Sequence, residues 1–150
     1  MTLASELLPL SGLKVLSVEF YGAGPFCTQY LSTFGADVIK IENSTQGGDF
    51  ARTTGPNSLG PEDSLYFQSF NQGKRSLSLD LKDKKSLEEF NQLLVSEHSD
   101  IDILINNGGV SQRSLFLEND FNVYRQLMEV NYFCLLYTSP SPRDSCASRM

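Results

Sequence analysis

Gly22-Ala23-Gly24 followed at once by Pro25 sits between a run that reads as a strand and one that reads as a helix. Glycine lets backbone come close to a ligand, and a helix starting near Pro25 aims unpaired N–H groups and its positive dipole end at whatever precedes it. The chemistry open to such a turn is to hold an anion, phosphate above all. A dinucleotide fingerprint would place a third glycine where Cys27 stands, so the same residues also read as a tight turn opening a helix. No other group of side chains has the spacing of a reaction centre. His98 is the single histidine, with no serine, cysteine or paired carboxylates arranged around it, and reads as a solvent-facing residue at a helix end. Cys27, Cys134 and Cys146 have neither metal-ligand spacing nor the density of a disulfide-stapled secreted domain, and read as reduced thiols of a cytosolic-type protein. The residues alone therefore supply no catalytic side chain and no metal ligand.

The elements that must position this turn follow from periodicity. Residues 13–20 alternate in part and predict a strand. Phe26, Tyr30, Leu31 and Phe34 recur at helical spacing, with Gly35 placed to end the helix, and residues 38–42 form a second short strand. A unit of this kind closes with parallel strands and a right-handed crossover. Residues 43–63, rich in Gly, Ser, Thr, Pro and Asn, predict a long surface loop. Residues 64–70 predict a short helix whose Tyr66, Phe67 and Phe70 belong to a core rather than to a base-stacking platform, and residues 75–81 alternate as a half-buried strand.

Farther on, Ser86 and Glu89 have the spacing of a capping box, and Leu87, Phe90, Leu93 and Leu94 give an apolar face, which predicts a helix over 86–96. Residues 101–105 predict an apolar strand. Phe121, Tyr124, Leu127, Met128 and Val130 predict a helix packed through its apolar face, and the helical pattern stops at Cys134, ahead of Pro140 and Pro142. The fold class is α/β: Rossmann-like strand-helix-strand units, a mostly parallel sheet and a disordered C-terminal tail.

A chain of 150 residues can bury a real core, and its net charge of −6 argues against a protein that binds a nucleic-acid backbone. No apolar run approaches the roughly 18 residues of a membrane span, and no basic stretch precedes an apolar run at the N-terminus. A soluble cytoplasmic protein is expected, with a mitochondrial or peroxisomal setting left open.

Four runs then resemble, in order, the class III CoA-transferases, which include formyl-CoA transferases and 2-methylacyl-CoA racemases. They are residues 9–16; residues 23–28 continuing at 34–42, with its Val-Ile-Lys-Ile-Glu strand; Gly48-Asp49; and residues 64–67 continuing at 71–82, Asn-Gln-Gly-Lys-Arg-Ser-Leu-Ser-Leu-Asp-Leu-Lys. The resemblance implies a Rossmann-like N-terminal region in an interlocked homodimer, an acyl-CoA thioester as substrate and no covalently bound cofactor. It also implies an aspartate nucleophile that forms a mixed anhydride with the acyl group. Carried over residue by residue, Gly22 and Ala23 fall where the family's first loop touches CoA, and Leu79, Asp80, Leu81 and Lys82 where a second segment does. Asn43 stands where members often carry a basic residue, and the nucleophilic aspartate belongs well downstream of the Leu-Asp-Leu-Lys segment.

Beyond that segment the chain changes character. Asn106-Asn107-Gly108-Gly109-Val110-Ser111-Gln112, with residues 101–105 before it and Asn131 after it, resembles the short-chain dehydrogenase/reductases. There the Asn-Asn-x-Gly motif supports the sheet beside NADP and the later asparagine holds a water of the proton relay. The interval from Asp80 to Asp102 fits that family better than the shorter interval of the CoA-transferases. Its Tyr-x-x-x-Lys pair is missing, since none of Tyr21, Tyr30, Tyr66, Tyr124, Tyr132 and Tyr137 has lysine four places on, and Leu59 stands where its phosphate loop after Thr54-Gly55 requires glycine. Residues 134–144 resemble a translated sequencing-library adapter. The organisation expected is thus a CoA-transferase fragment over 1–82, a dehydrogenase-like fragment over 83–133 and a non-native tail over 134–150. The function expected is that of an acyl-CoA transferase fragment, inactive as it stands. The alternatives are an NAD(P)-dependent oxidoreductase fragment or a chimeric non-catalytic chain.

Overall fold

The computed structural model describes residues 8–56, 58–98, 101–115 and 118–138. The chain divides into two units, Met1–Asp100 and Ile101–Met150. The first runs β1 (Lys14–Val18), α1 (Ala23–Thr33), β2 (Asp37–Asn43), β3 (Ser58–Gly60), β4 (Asp63–Ser64), α2 (Leu65–Asn71), β5 (Arg75–Leu79) and α3 (Lys84–Glu97).

β1, β2 and β5 make a parallel three-stranded sheet in that order, with Val18 opposite Ile41, Ile41 opposite Leu77, and Asn43 opposite Leu79. β2 is central because its side chains are the ones that can be covered on both faces: Val38 and Ile41 are buried, and so, less expectedly, are Lys40 and Glu42. β1 and β5 are the edges, which is why Val18 and Leu77 stay exposed and why β5 is less buried than its alternation predicts. β3 and β4 form a small antiparallel ladder of their own.

The crossover helix α1 ends as expected. Gly35 takes φ +102°, its N–H donates to Ser32 O and the N–H of Ala36 donates to Leu31 O, both at 3.0 Å, so the last carbonyls are satisfied in a Schellman arrangement. A Cβ at Gly35 would also meet Leu8 Cβ at 2.7 Å.

Residues 43–63 differ from the surface loop that composition suggests. They carry 3₁₀ turns at Ser44–Gln46 and Phe50–Thr53, and Asp49 and Ala51 are buried. The reason is that Asp49 has partners inside, which the composition of a Gly- and Ser-rich stretch does not reveal. The N-cap of helix α3 lies three residues earlier than the capping box predicts: Asp83 takes that place, accepting from the N–H of Ser86 at 3.1 Å and from its hydroxyl, while Glu89 faces Lys85. A carboxylate at the cap satisfies the free N–H more strongly than a serine three places on could. None of its residues is buried.

In the second unit, residues 101–105 do not form the expected strand. Ile101, Ile103 and Ile105 are exposed and carry no strand pairing among the described residues, and an apolar run becomes a strand only by acquiring a ladder partner. α4 (Phe121–Met128), capped by Asp120, continues through one π turn at Glu129–Phe133 into α5 (Cys134–Thr138). The helix thus runs past Cys134, where the sequence suggested a stop; Pro140, Pro142 and Cys146 lie outside the described residues. Among the described helices none is long and apolar enough to cross a membrane.

Candidate functional site

The turn between β1 and α1 leaves the sheet at its carboxyl edge. Parallel pairing sends β2 and β5 to that same edge, so Gly22 and Ala23 after β1, Asn43 at the end of β2, and Leu79 to Lys82 at the end of β5 share one side of the sheet. Open parallel sheets bind ligands outside the carboxyl ends of their strands. Gly22 is the N-cap of α1 and half-buried, and Ala23 opens the helix exposed. At the second segment the Asp80 carboxylate accepts from the Lys82 N–H at 2.9 Å, Leu79 is half-buried, and Leu81 and Lys82 are exposed.

Gly24 has a different duty from the close approach to a ligand that its spacing suggests. A Cβ there would meet Glu19 Cβ at 2.9 Å, so its smallness lets α1 settle on the end of β1. Gly22 has more room, with Tyr66 Oη 3.5 Å from a Cβ built on it. Tyr66 belongs to a continuous run of rings: Phe50 against Tyr21 at 5.9 Å, Tyr21 stacked on Tyr66 at 5.3 Å, and Tyr66 edge-on to Phe70 at 5.1 Å. Of the three aromatics of α2, only Phe67 is core; Tyr66 and Phe70 are half-buried. Beside Tyr66 lies an open pocket of about 270 Å³ walled by Thr54, Gly55, Pro56, Leu65 and Ser69.

Under the turn sits a chain of buried charges. Lys74 and Glu19, each 2% exposed, pair at 2.8 Å, and Glu19 also accepts from Ser17 and Thr28. Lys40 pairs with Asp49 and donates to Asn71 Oδ1 at 2.9 Å, the oxygen that Lys74 also reaches. Glu42 takes two hydrogen bonds from Arg52, at 2.7 and 2.8 Å, one from Ser76 and one from the Asp49 N–H; the Arg52 guanidinium stacks 3.9 Å from the Phe67 ring centre. Burial pushes the Glu42 carboxyl up, but these four donors and the Arg52 charge outweigh it and hold it at about 2. Its hydrogen bond to Glu42 raises Arg52 above its ordinary value, while burial pushes the Lys74 ammonium below its own against the pull of Glu19. An open cavity of about 350 Å³ reaches Lys40, Glu42, Arg52, Asn71 and Lys74.

Because each cation here has its carboxylate, the chain of charges offers no free nucleophile or base. Its work is to lock β2, α2 and the loop after β2 to one another, since unpairing a buried charge costs several kcal/mol. The motif residues Gly48-Asp49 and Asn71 to Lys74 were read in the sequence only as a likeness. The signal that could have revealed their role is two charges, Lys40 and Glu42, on either side of Ile41 in the aliphatic run that starts at Val38.

Comparison with known proteins matches the description "CoA-transferase family III" over residues 10–118. The chain belongs to CoA-transferase family III. The match runs on past Lys82. The chain is 39% identical over 89 residues to succinyl-CoA:glutarate CoA-transferase of Homo sapiens, covering 59% of the chain and 20% of that relative. It is 44% identical over 95 residues to succinyl-CoA:mesaconate CoA-transferase of Haloarcula hispanica, covering 61% and 23%. With formyl-CoA:oxalate CoA-transferase of Rhodopseudomonas palustris it shares 34% over 143 residues, covering 91% and 31%. Among solved structures, a CAIB/BAIF family protein from Brucella suis superposes with a TM-score of 0.51 at 38% identity, over 59% of the chain and 24% of that structure. The chain thus spans a fifth to a third of the length of these curated relatives.

Proposed function

We propose that the chain contributes the CoA-binding edge of an acyl-CoA transferase, with Gly22 and Ala23 receiving the anionic end of the thioester's nucleotide and Leu79, Asp80, Leu81 and Lys82 flanking it. The observation that supports this most is topological: three parallel strands bring both segments to one edge of the sheet, and α1 begins there with free N–H groups. Lys82 would supply the positive charge that Asn43 does not. Tyr66 borders both Gly22 and the apolar-walled pocket, which would take the acyl group.

In the intact reaction an aspartate carboxylate would displace CoA thiolate from the thioester to give a mixed anhydride, and thiolate attack on the aspartyl carbonyl would release the donor acid and leave an aspartyl thioester. The acceptor carboxylate would displace thiolate from that thioester to form a second anhydride, and thiolate attack on the acceptor's carbonyl would give the new acyl-CoA and free the aspartate. Among the described residues of the first unit each buried carboxylate already has its cation, so we infer that residues 1–150 bind CoA without transferring it. Thermal unfolding tests the reading: CoA at a hundred times its Kd should stabilise by about 2.7 kcal/mol, and NADP should not. Stabilisation by NADP alone would sink it, and transfer of CoA between acyl acids by the purified chain would refute the claim of inactivity. The homodimer belongs to the intact family and is not carried over to residues 1–150.

A second reading concerns residues 83–133. Asn131 accepts from the Val110 N–H at 2.7 Å and donates to its carbonyl at 2.8 Å, which ties together the two pieces that resemble short-chain dehydrogenases. On that reading the chain is a chimera joined near Leu79 to Asp83. One uninterrupted genomic read across the codons for Asn71 to Asn107 decides it, because an intact CoA-transferase continuation after Asn71 would establish an assembly artefact and continuous coding would refute one.

A further inference from the structure

The residue before Gly22 is held in a conformation it would not choose. Tyr21 has φ +69°, and Gly22 N–H donates to Phe20 O at 3.0 Å, closing a three-residue turn around it. A γ-turn with positive φ at a side-chain-bearing centre is rare and strained, and persists only where its surroundings impose it. Here the surroundings are identifiable. Asp49 Oδ1 accepts the Tyr21 N–H at 3.0 Å and the Ala51 N–H at 2.9 Å, while Oδ2 is held by Lys40. The Tyr21 ring lies between Phe50, the residue after Asp49, and Tyr66.

Asp49 is itself aimed. Gly47 and Gly48 take φ +72° and +88° in succession, and a Cβ on Gly48 would meet Glu42 Oε2 at 2.7 Å and Arg52 Nε at 3.1 Å. Only glycine passes there, and the Asp49 N–H then donates to Glu42 at 2.9 Å. The carboxylate is spent wholly on one lysine and two backbone amides, one of them in the turn from which α1 springs.

We propose that Asp49 is the positioning residue of the Gly22–Ala23 turn: by holding the Tyr21 amide it fixes where the free N–H groups at the start of α1 point, and so sets the affinity for CoA. The ligand named rests on the reading under Proposed function; the clamp does not. Two double variants of the full chain separate the clamp from mere stability. Lys40→Met with Asp49→Asn removes the buried pair but keeps an acceptor for the Tyr21 amide, whereas Lys40→Met with Asp49→Ala removes both. Neither leaves a buried lysine unpaired.

Isothermal titration with CoA should give the first variant an affinity within about threefold of the original and the second an affinity weaker by roughly tenfold or more, as for other small misplacements of a binding group. Amide hydrogen exchange at Tyr21 should be slow in the original chain and in the first variant and fast in the second. Equal CoA affinity in the two variants overturns the proposal. So does a Tyr21 amide in the unaltered chain that exchanges as fast as that of Gly55, a measurement that needs no variant to fold. If the original chain does not bind CoA, the function proposed above fails, and Tyr21 exchange alone then decides the clamp.

Discussion

Replacing Glu42 by Gln tests the buried charges where the structure makes a quantitative claim. Gln keeps the shape but offers one acceptor and one donor where Arg52, Ser76 and the Asp49 amide present four donors. The carboxyl lies at about 2 in the fold against an ordinary 4.5. At roughly 1.4 kcal/mol per pH unit this corresponds to about 3 kcal/mol of stability at pH 7. The sign follows from the direction: a lowered carboxyl stabilises the fold fully above its unfolded value and loses that contribution as pH falls through the folded one. Two such values leave about 1 kcal/mol at pH 3. Urea unfolding followed by far-ultraviolet circular dichroism, at pH 7 and pH 3, should therefore show the gap between the original chain and Glu42→Gln closing by about 2 kcal/mol. Other carboxyls titrate in both proteins and cancel in the difference. A gap that stays constant between the two pH values, or is below about 1 kcal/mol at pH 7, would refute the assignment of Glu42 as a charged, fully bonded side chain.

Three further substitutions probe separate parts of the fold. Ser64→Ala removes a buried N-cap whose hydroxyl accepts from Phe67 N–H at 3.0 Å and donates to Ala51 O at 2.6 Å, and should cost about 2 kcal/mol in urea unfolding. Gly35→Ala places a Cβ 2.7 Å from Leu8 Cβ at φ +102°, and should lower stability by at least about 1 kcal/mol in the same assay. Arg75→Ala breaks a pair with Asp37 in which both side chains are about half exposed or more, so its cost should be below about 1 kcal/mol and should vanish in high salt.

What was legible in the sequence was whatever depends on local rhythm. Residues 13–42 read as strand, helix and parallel strand, with Gly35 at the helix end, because aliphatic spacing and a lone glycine are written along the chain. Gly22, Ala23 and residues 79–82 are singled out by resemblance alone, and only the parallel pairing of β1, β2 and β5 puts them on one edge. Long-range pairing was not legible. Asp49 looked like a loop residue because Lys40 and Tyr21, which hold it, lie 9 and 28 positions away. Residues 101–105 looked like a strand because composition records apolarity but not a partner. Asp83 was overlooked as a cap because Ser86 and Glu89 imitate a known motif, and in the fold Ser86 gives its hydrogen bonds to Asp83 instead.

The burial of Asp49 and Ala51 divides the segment after β2 into two halves with different evolutionary freedom. Its first half is anchored to the core by half-buried Gly48 and buried Asp49, so an added or lost residue there would break the contacts to Lys40 and Glu42 at one stroke. Its second half, from Gly55 to Pro61, is mostly exposed among its described residues, and no Cβ added at Gly55 or Gly60 would meet anything within 4 Å. Descendants of this chain can lengthen, shorten or rewrite that tip, next to the pocket walled by Pro56 and Tyr66, without touching the framework that sets the turn at Gly22. The pocket wall can drift there while the turn at Gly22 stays fixed.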